Sequence, residues 1–126
     1  MKMKLEAIVL PVANVDMSLD FYKNTAGFHL DHDVRPRDGM RIVQLTPEDS
    51  DCSIIIGEGL DGLAAPGSIR GVHLVVENLE FTKKELMKKG LKIGNSFDAG
   101  SVKWAFFEDP DGNTWELQQI DKDAHL

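Results

Sequence analysis

Hydrophobic and polar residues recur with two different periodicities along this chain, one typical of strands and one of helices. The same order of periodicities occurs twice. Short runs of β-forming residues predict strands, and apolar residues three or four positions apart predict one helix in each half. The predicted strands are 5–10, 28–34, 40–46 and 52–57 in the first half, and 71–76, 91–97, 102–107 and 114–120 in the second. Each half therefore reads βαβββ.

Both predicted helices begin at a capping residue and end at a glycine. Asn14 or Asp16 can cap the first helix and Gly27 ends it, while Asn78 caps the second and Gly90 ends it. The residues expected to face inward are Val15, Leu19 and Tyr22 in the first helix and Leu79, Leu86 and Met87 in the second. Helical spacing of these residues predicts that each helix packs against a sheet.

Sequence similarity between the halves supports a repeat. Val12–Asp16 and Val76–Glu80 open corresponding segments 64 residues apart, and Pro47–Asp49 and Pro110–Gly112 lie 63 residues apart. We therefore predict a single domain over residues 1–126, with module one at 5–57, a linker at 58–70, module two at 71–120 and a tail at 121–126. Two related modules are expected to form a cleft between them.

Charge and cysteine content narrow the function classes. The net charge of −7 disfavours binding to nucleic acid or to an anionic membrane, and it is compatible with a cationic or neutral small molecule. Cys52 is the single cysteine, so no intrachain disulfide can form. The short apolar run before Pro11 predicts no signal peptide, and no stretch is long enough for a membrane span. We expect a cytoplasmic protein.

Two motifs carry a family resemblance. Leu19–Tyr22 is followed by Gly27-Phe28, and Phe107–Asn113 precedes Trp115–Leu117. Together with the βαβββ repeat, these motifs resemble the vicinal oxygen chelate superfamily, the group of glyoxalase I, bleomycin-resistance proteins and extradiol dioxygenases. The resemblance implies an α+β fold whose two modules form an open, cup-shaped mixed β-barrel. It also implies a homodimer.

The resemblance implies four positions at which enzymes of this superfamily bind a divalent metal. Counted from Val12 and Val76, the first-strand positions fall on Ala7 and Gly71, and the last-strand positions fall on Glu116 and, by the 63-residue offset, on Ser53. Among these four residues only Glu116 is an ordinary metal ligand. We therefore expect no cofactor and no ordinary metal site.

His73 and Gln118 extend the polar patch around Glu116, because residues two apart in a strand share a face. In one interpretation His73 forms a hydrogen bond with Glu116 or Gln118 and has no further role. In a second, His73 and Glu116 act as a metal-free acid–base pair. A third is a metal site with two or three ligands, which would need Gln44 or His32 as a donor from module one.

The remaining candidates concern ligand binding. Trp104 shares a face with Phe106 and is a candidate aromatic wall, whereas Trp115 is expected to pack under the helix. Gln118, Gln44 and Ser53 are candidate polar contacts, and His32 is expected to face the core. Two function classes stay open: a glyoxalase-like lyase or isomerase, and a metal-free protein that sequesters an antibiotic or metabolite.

Overall fold

The computed structural model describes residues 1–121 and contains two four-stranded sheets. The first sheet has the order β1-β4-β3-β2, with β1 at Ala7–Val9, β2 at His29–Val34, β3 at Arg41–Thr46 and β4 at Ser53–Glu58. The second has the order β5-β8-β7-β6, with β5 at Val72–Val75, β6 at Phe97–Asp98, β7 at Val102–Glu108 and β8 at Thr114–Ile120. In each sheet the first strand of the module pairs parallel with the last, and the other pairs are antiparallel. The predicted α+β fold with a repeated βαβββ order is confirmed, and the two sheets form a curved cup rather than a closed barrel.

Both helices begin at an asparagine, Asn14 of the two alternatives in the first helix and Asn78, as predicted, in the second. The Asn14 side chain accepts a hydrogen bond from the backbone of Met17 at the start of α1 (Val15–Asp20), which continues as a π-helical turn over Phe21–Thr25. Asn78 caps α2 (Leu79–Lys88) in the same way. The inward position predicted for Met87 is wrong, because this side chain is 51% exposed on the outer side of α2. None of the helices in residues 1–121 has the length and apolar character that a membrane crossing requires.

Two local predictions fail in the sheets. The strand predicted at 91–97 is reduced to Phe97–Asp98, because the segment before it follows β7 with one backbone hydrogen bond, from Gly94 N to the Phe106 carbonyl oxygen, instead of a ladder. The core position predicted for His32 is also wrong. A β-bulge between Leu30 and His32 adds one unpaired residue and turns His32 to the exposed side of β2. The predicted tail beyond Asp121 lies outside the described residues.

A buried hydrogen-bond network joins the two modules. Tyr22 of module one donates its hydroxyl to Asp109 Oδ2 at 2.7 Å, and Trp115 Nε1 of module two donates to the Tyr22 hydroxyl oxygen at 2.9 Å. Asn113 Nδ2 donates to Asp109 Oδ2 at 2.8 Å and to the Pro11 carbonyl oxygen at 3.0 Å. Burial, reinforced by the Asp109 carboxylate, raises the pKa of Tyr22, so its hydroxyl remains a donor. The prediction that Trp115 packs in the core is confirmed.

Removing the Tyr22 hydroxyl is expected to destabilise the fold as a whole. In Tyr22→Phe the buried Trp115 N–H loses its acceptor and Asp109 loses a donor, so the free energy of unfolding should fall by about 2–3 kcal/mol. Urea denaturation followed by circular dichroism measures this loss. The control Phe81→Leu changes an exposed ring of α2 and should stay within about 0.5 kcal/mol of the parent chain. Equal stabilities of Tyr22→Phe and the parent would contradict a linking role for this network.

Candidate functional site

The two sheets have one side in the core and one side away from it, which we call the open face. Core side chains and open-face side chains alternate along each strand, as the period of two requires. The core side carries Val43, Leu45, Ile54, Ile56, Ala105, Phe107, Trp115 and Leu117. The open face carries Gln44, Thr46, Ser53 and Ile55 in the first sheet and His73, Trp104, Phe106, Glu116 and Gln118 in the second. All six predicted site residues lie on the open face.

Strand register decides which residues meet on this face. In the first sheet Ala7 lies opposite Ser53, and in the second His73 lies opposite Glu116. The residue equivalent to Ala7 is therefore His73, and the count that chose Gly71 is wrong. The reason is that the loop between the first strand and the helix differs in length between the two modules. A count back from the helix therefore reaches different positions of the strand in each module. Leu10 N and Val76 N make equivalent hydrogen bonds to the last strands, but Leu10 precedes its helix cap by two more residues than Val76 does.

His73, Glu116 and Gln118 form a polar cluster. His73 Nδ1 lies 3.0 Å from Glu116 Oε2 and 2.6 Å from Gln118 Oε1, so the predicted contact of His73 with these residues is present. Both partners offer acceptor oxygens, which makes Nδ1 the protonated nitrogen and leaves the Nε2 lone pair available in the neutral ring. The His73 side chain is 54% exposed and that of Glu116 15%. A Cβ atom on Gly71 would lie 4.0 Å from Nε2, so the glycine keeps this side of the ring accessible.

Three aromatic rings lie beside the polar cluster. Trp104 is the register partner of Gln118, and Phe106 is the partner of Glu116. Phe97 stacks on Trp104 with ring centroids 5.8 Å apart and meets Phe106 edge-to-face at 6.2 Å. Phe97 was missed in the sequence because it was placed at the end of a long strand. The signal that could have found it is the short turn 98–101, which brings Phe97 and Trp104 across a hairpin.

The first sheet contributes no aromatic residue to the open face, and its polar residues there form hydrogen bonds within the sheet. Gln44 Nε2 lies 3.4 Å from Glu6 Oε1, and Ser53 Oγ lies 2.6 Å from Thr46 Oγ1. The Thr46 hydroxyl donates in turn to Asp31, and this hydrogen bond lowers the pKa of the Asp31 carboxyl group. Asp31 and Thr46 were not identified in the sequence, because the β-bulge that directs Asp31 toward Thr46 leaves no clear pattern in the residues.

The charges of the open face are acidic. Its carboxylates are Asp31, Glu108 and Glu116, and the strands of the described chain place no lysine or arginine side chain on this face. Three carboxylates without a neighbouring cation create a negative potential over the face. The arrangement therefore favours a cationic or donor-rich ligand over an anionic one.

Arg41 lies on the core side of β3 and has a structural role. Its guanidinium donates two hydrogen bonds to Asp33, at 3.0 and 2.9 Å, and one to Asp16 at 2.7 Å. These hydrogen bonds raise the pKa of Arg41 and lower the pKa of Asp33. Because its donors face protein carboxylates and the residue is buried, Arg41 joins α1 to the first sheet and is not a ligand-binding residue.

A cavity lies adjacent to the polar cluster but does not contain it. This cavity has a volume of about 850 Å³ and reaches the open face through Phe106 and Thr114, next to Glu116. Its other walls come from Phe21, from the segment 90–94 and from Pro110. The polar cluster itself lies on open sheet surface, where the His73 side chain is 54% exposed. We therefore locate the candidate site by its side chains and not by the cavity.

The donor set for a metal ion is small. The corrected register brings His73 and Glu116 together in the second sheet, but the matching positions of the first sheet hold Ala7 and Ser53. Within residues 1–121 no three side chains of histidine, cysteine, aspartate or glutamate are grouped so that they could hold a metal ion. An ordinary divalent-metal site needs at least three protein ligands, and these residues supply two.

Comparison with known proteins gives the family and the fold of the chain. The model of the Glyoxalase/Bleomycin resistance protein/Dioxygenase superfamily matches residues 4–117. Among solved structures, TnmS3, an antibiotic binding protein from Streptomyces sp. CB03234, is 28% identical with a TM-score of 0.83, over 95% of this chain and 98% of that chain. A glyoxalase/bleomycin resistance protein from the same organism is also 28% identical, with a TM-score of 0.78, over 92% of this chain and 100% of that one.

A third structure is similar at the level of the fold. It is a member of the superfamily from Sphaerobacter thermophilus DSM 20745, 24% identical with a TM-score of 0.81, over 94% of this chain and 98% of that chain. The search of curated proteins found no match. The family model spans most of the chain, and the two βαβββ modules form the same fold as the matched structures. The chain belongs to the Glyoxalase/Bleomycin resistance protein/Dioxygenase superfamily.

Proposed function

We propose that the protein binds a small aromatic molecule carrying a cationic or hydrogen-bond-donating group, on the open face of its sheets. The observation that carries the proposal is the aromatic cluster directly beside Glu116 and Gln118, in which Phe97 and Phe106 are exposed and Trp104 is half-buried. Exposed aromatic rings grouped on one face provide a stacking surface, and the adjacent acceptors give the ligand an orientation.

Five of the six predicted site residues have a role in this proposal, and the sixth, His73, orients Glu116 and Gln118 by contacting both. Trp104 stacks on the ligand, Glu116 accepts its donor group, and the free amide of Gln118 donates to it. Gln44 and Ser53 contact it from the first sheet. TnmS3, which is described as an antibiotic binding protein, shares the fold and 28% of the sequence, and this supports sequestration of an antibiotic or metabolite as the biological role. No cofactor is required for it.

Two acridines test the charge preference of the site. 9-Aminoacridine is cationic at neutral pH and acridine is neutral, and binding of either should quench Trp104, because the second tryptophan, Trp115, is buried. Glu116→Gln should weaken 9-aminoacridine about tenfold, the value of one charge-assisted hydrogen bond, and leave acridine within about twofold. Glu77→Gln, an exposed residue after β5, is the matched control and should change neither.

The outcomes of this titration separate three cases. Quenching that disappears in Trp104→Phe assigns the signal to the aromatic cluster. An equal loss for both acridines in Glu116→Gln would contradict the role of its charge. No quenching of the parent protein by either compound would contradict binding at this face.

We also propose that a second copy of the chain covers the open face and completes the binding cleft, in the cytoplasm. Large apolar side chains are exposed there, namely Val9, Val75, Phe97 and Phe106, and Val75 is 69% exposed. A monomer rarely exposes so many grouped apolar residues without a partner. The unpaired Cys52 agrees with a reducing compartment.

Sedimentation velocity tests the dimer. The parent protein should sediment as a dimer at micromolar concentration, and Val75→Lys should shift it toward monomer because a lysine charge would be buried at the interface. Met87→Lys, at a similarly exposed apolar residue of α2, should leave the dimer intact. A monomeric parent protein, or equal effects of the two lysines, would contradict the proposed interface.

One observation favours a second function, metal-free acid–base catalysis. His73 Nδ1 is held by Glu116, and Nε2 has no hydrogen-bond partner among the described residues. A histidine oriented by a carboxylate, with its second nitrogen free, can remove a proton from a carbon next to a carbonyl group. The reaction class would be a lyase or isomerase reaction of a keto compound or a thiol adduct.

The hemithioacetal of methylglyoxal and glutathione is the substrate for this test. For the catalytic function, turnover should survive EDTA treatment and fall at least about a hundredfold in His73→Ala. Elemental analysis of protein purified without chelators should show less than one metal ion per protein chain. Absence of turnover would contradict catalysis on this substrate, and loss of turnover with EDTA would contradict the metal-free mechanism.

A further inference from the structure

A chain of four side chains crosses the first sheet and ends at Ser53. Ser53 Oγ lies 2.6 Å from Thr46 Oγ1, Thr46 Oγ1 contacts Asp31 Oδ2, and Asp31 Oδ1 lies 2.9 Å from His29 Nδ1. The β-bulge at Asp31 makes this chain possible, because the unpaired residue reaches both neighbours at once. None of these contacts is needed to join the two modules.

Counting protons fixes the direction of each hydrogen bond. An ionised carboxylate can only accept, so both Thr46 and His29 donate to Asp31. Thr46 has one hydroxyl proton and has used it, so in its contact with Ser53 it is the acceptor. Ser53 therefore donates its own proton to Thr46. The Ser53 oxygen is left with lone pairs and no free proton.

Ser53 occupies a site position. It is the register partner of Ala7 in β1, as Glu116 is the partner of His73 in the second sheet. The side chain of the neighbouring Ala7 is only a methyl group, and Ser53 is 6% exposed, so its contact with a ligand is limited to one small area. The free energy of that contact depends on where the Ser53 hydroxyl proton points. Because the proton points to Thr46, a ligand donor gains a hydrogen bond to the Ser53 oxygen, whereas a ligand acceptor faces a lone pair and gains none.

We propose that Asp31 is a positioning residue that acts through Thr46 to hold Ser53 as an obligatory hydrogen-bond acceptor, so that this part of the open face selects ligands with a donor group. The inference rests on the proposed ligand-binding function and names a determinant of its specificity. The ligand class is an aromatic molecule with a donor group, such as an alcohol, amine or amidine. An aromatic ether, which can only accept, is disfavoured.

Asp31→Asn should reverse the chain. In the tautomer of His29 that carries a proton on Nδ1, the asparagine carbonyl oxygen stays on the histidine side, so the amide N–H turns toward Thr46 and donates to it. Thr46 then donates to Ser53, and the Ser53 proton is released toward the ligand. Asp51→Asn, in the exposed turn before β4, removes the same charge without touching the chain and is the matched control.

2-Naphthol and 2-methoxynaphthalene are the probes, one a donor and the other only an acceptor. Titrations followed by ¹H–¹⁵N correlation spectra give both affinities, and the Ser53 amide shift locates the bound ring. The parent protein should prefer naphthol about three- to tenfold. This preference should persist in Thr46→Ser and Asp51→Asn, disappear in Ser53→Ala, and disappear or reverse in Asp31→Asn.

Neutron diffraction of deuterium-exchanged crystals provides a readout that needs no ligand. The Thr46 deuterium should point to Asp31 and the Ser53 deuterium to Thr46, and a Thr46 deuterium directed at Ser53 would overturn the inference. Equal affinities of the two naphthalenes bound at Ser53 in the parent protein would also overturn it. Binding of neither probe, with the deuterium atoms as expected, would instead contradict the proposed binding function.

Discussion

The buried hydrogen bond between Tyr22 and Asp109 is the constraint on which the arrangement of the two modules depends. Asp109 begins the last hairpin of module two and accepts from Tyr22 of module one, while Trp115 donates back to the same hydroxyl. A buried carboxylate is stable only when its acceptors are used, so the hairpin and α1 are held together. Once Trp115 is fixed in the core, strand alternation places Glu116 on the open face.

The open face inherits its chemistry from that placement and from strand register. Parallel pairing of β5 with β8 sets His73 opposite Glu116, and His73 also contacts Gln118. In the first sheet the same pairing sets Ala7 opposite Ser53. One fold position thus carries a histidine–carboxylate pair in one module and a small neutral pair in the other. The repeat preserves geometry and leaves each module free to differ in chemistry.

In the proposed binding function, this asymmetry gives the two sheets separate parts. The second sheet offers stacking surface from Phe97, Trp104 and Phe106 and a charged acceptor in Glu116. The first sheet offers a hydroxyl whose proton is directed away from the site by Thr46 and Asp31. Both sheets present acceptors, and a surface of acceptors discriminates by leaving a mismatched ligand acceptor unpaired.

The sequence by itself determined the βαβββ repeat, the Asn78 cap, the core role of Trp115 and the shared strand face of Glu116 and Gln118, because the strand and helix periods of 2 and 3.6 and the capping residues are local features of each segment. Tertiary structure decided that His73 and not Gly71 is equivalent to Ala7, that His32 is exposed, and where Phe97, Asp31 and Thr46 lie. Those features depend on strand register, on the β-bulge in β2, and on the loop between the first strand and the helix, which is two residues longer in module one than in module two. Each depends on which strands lie side by side, and that is settled only when the whole chain packs.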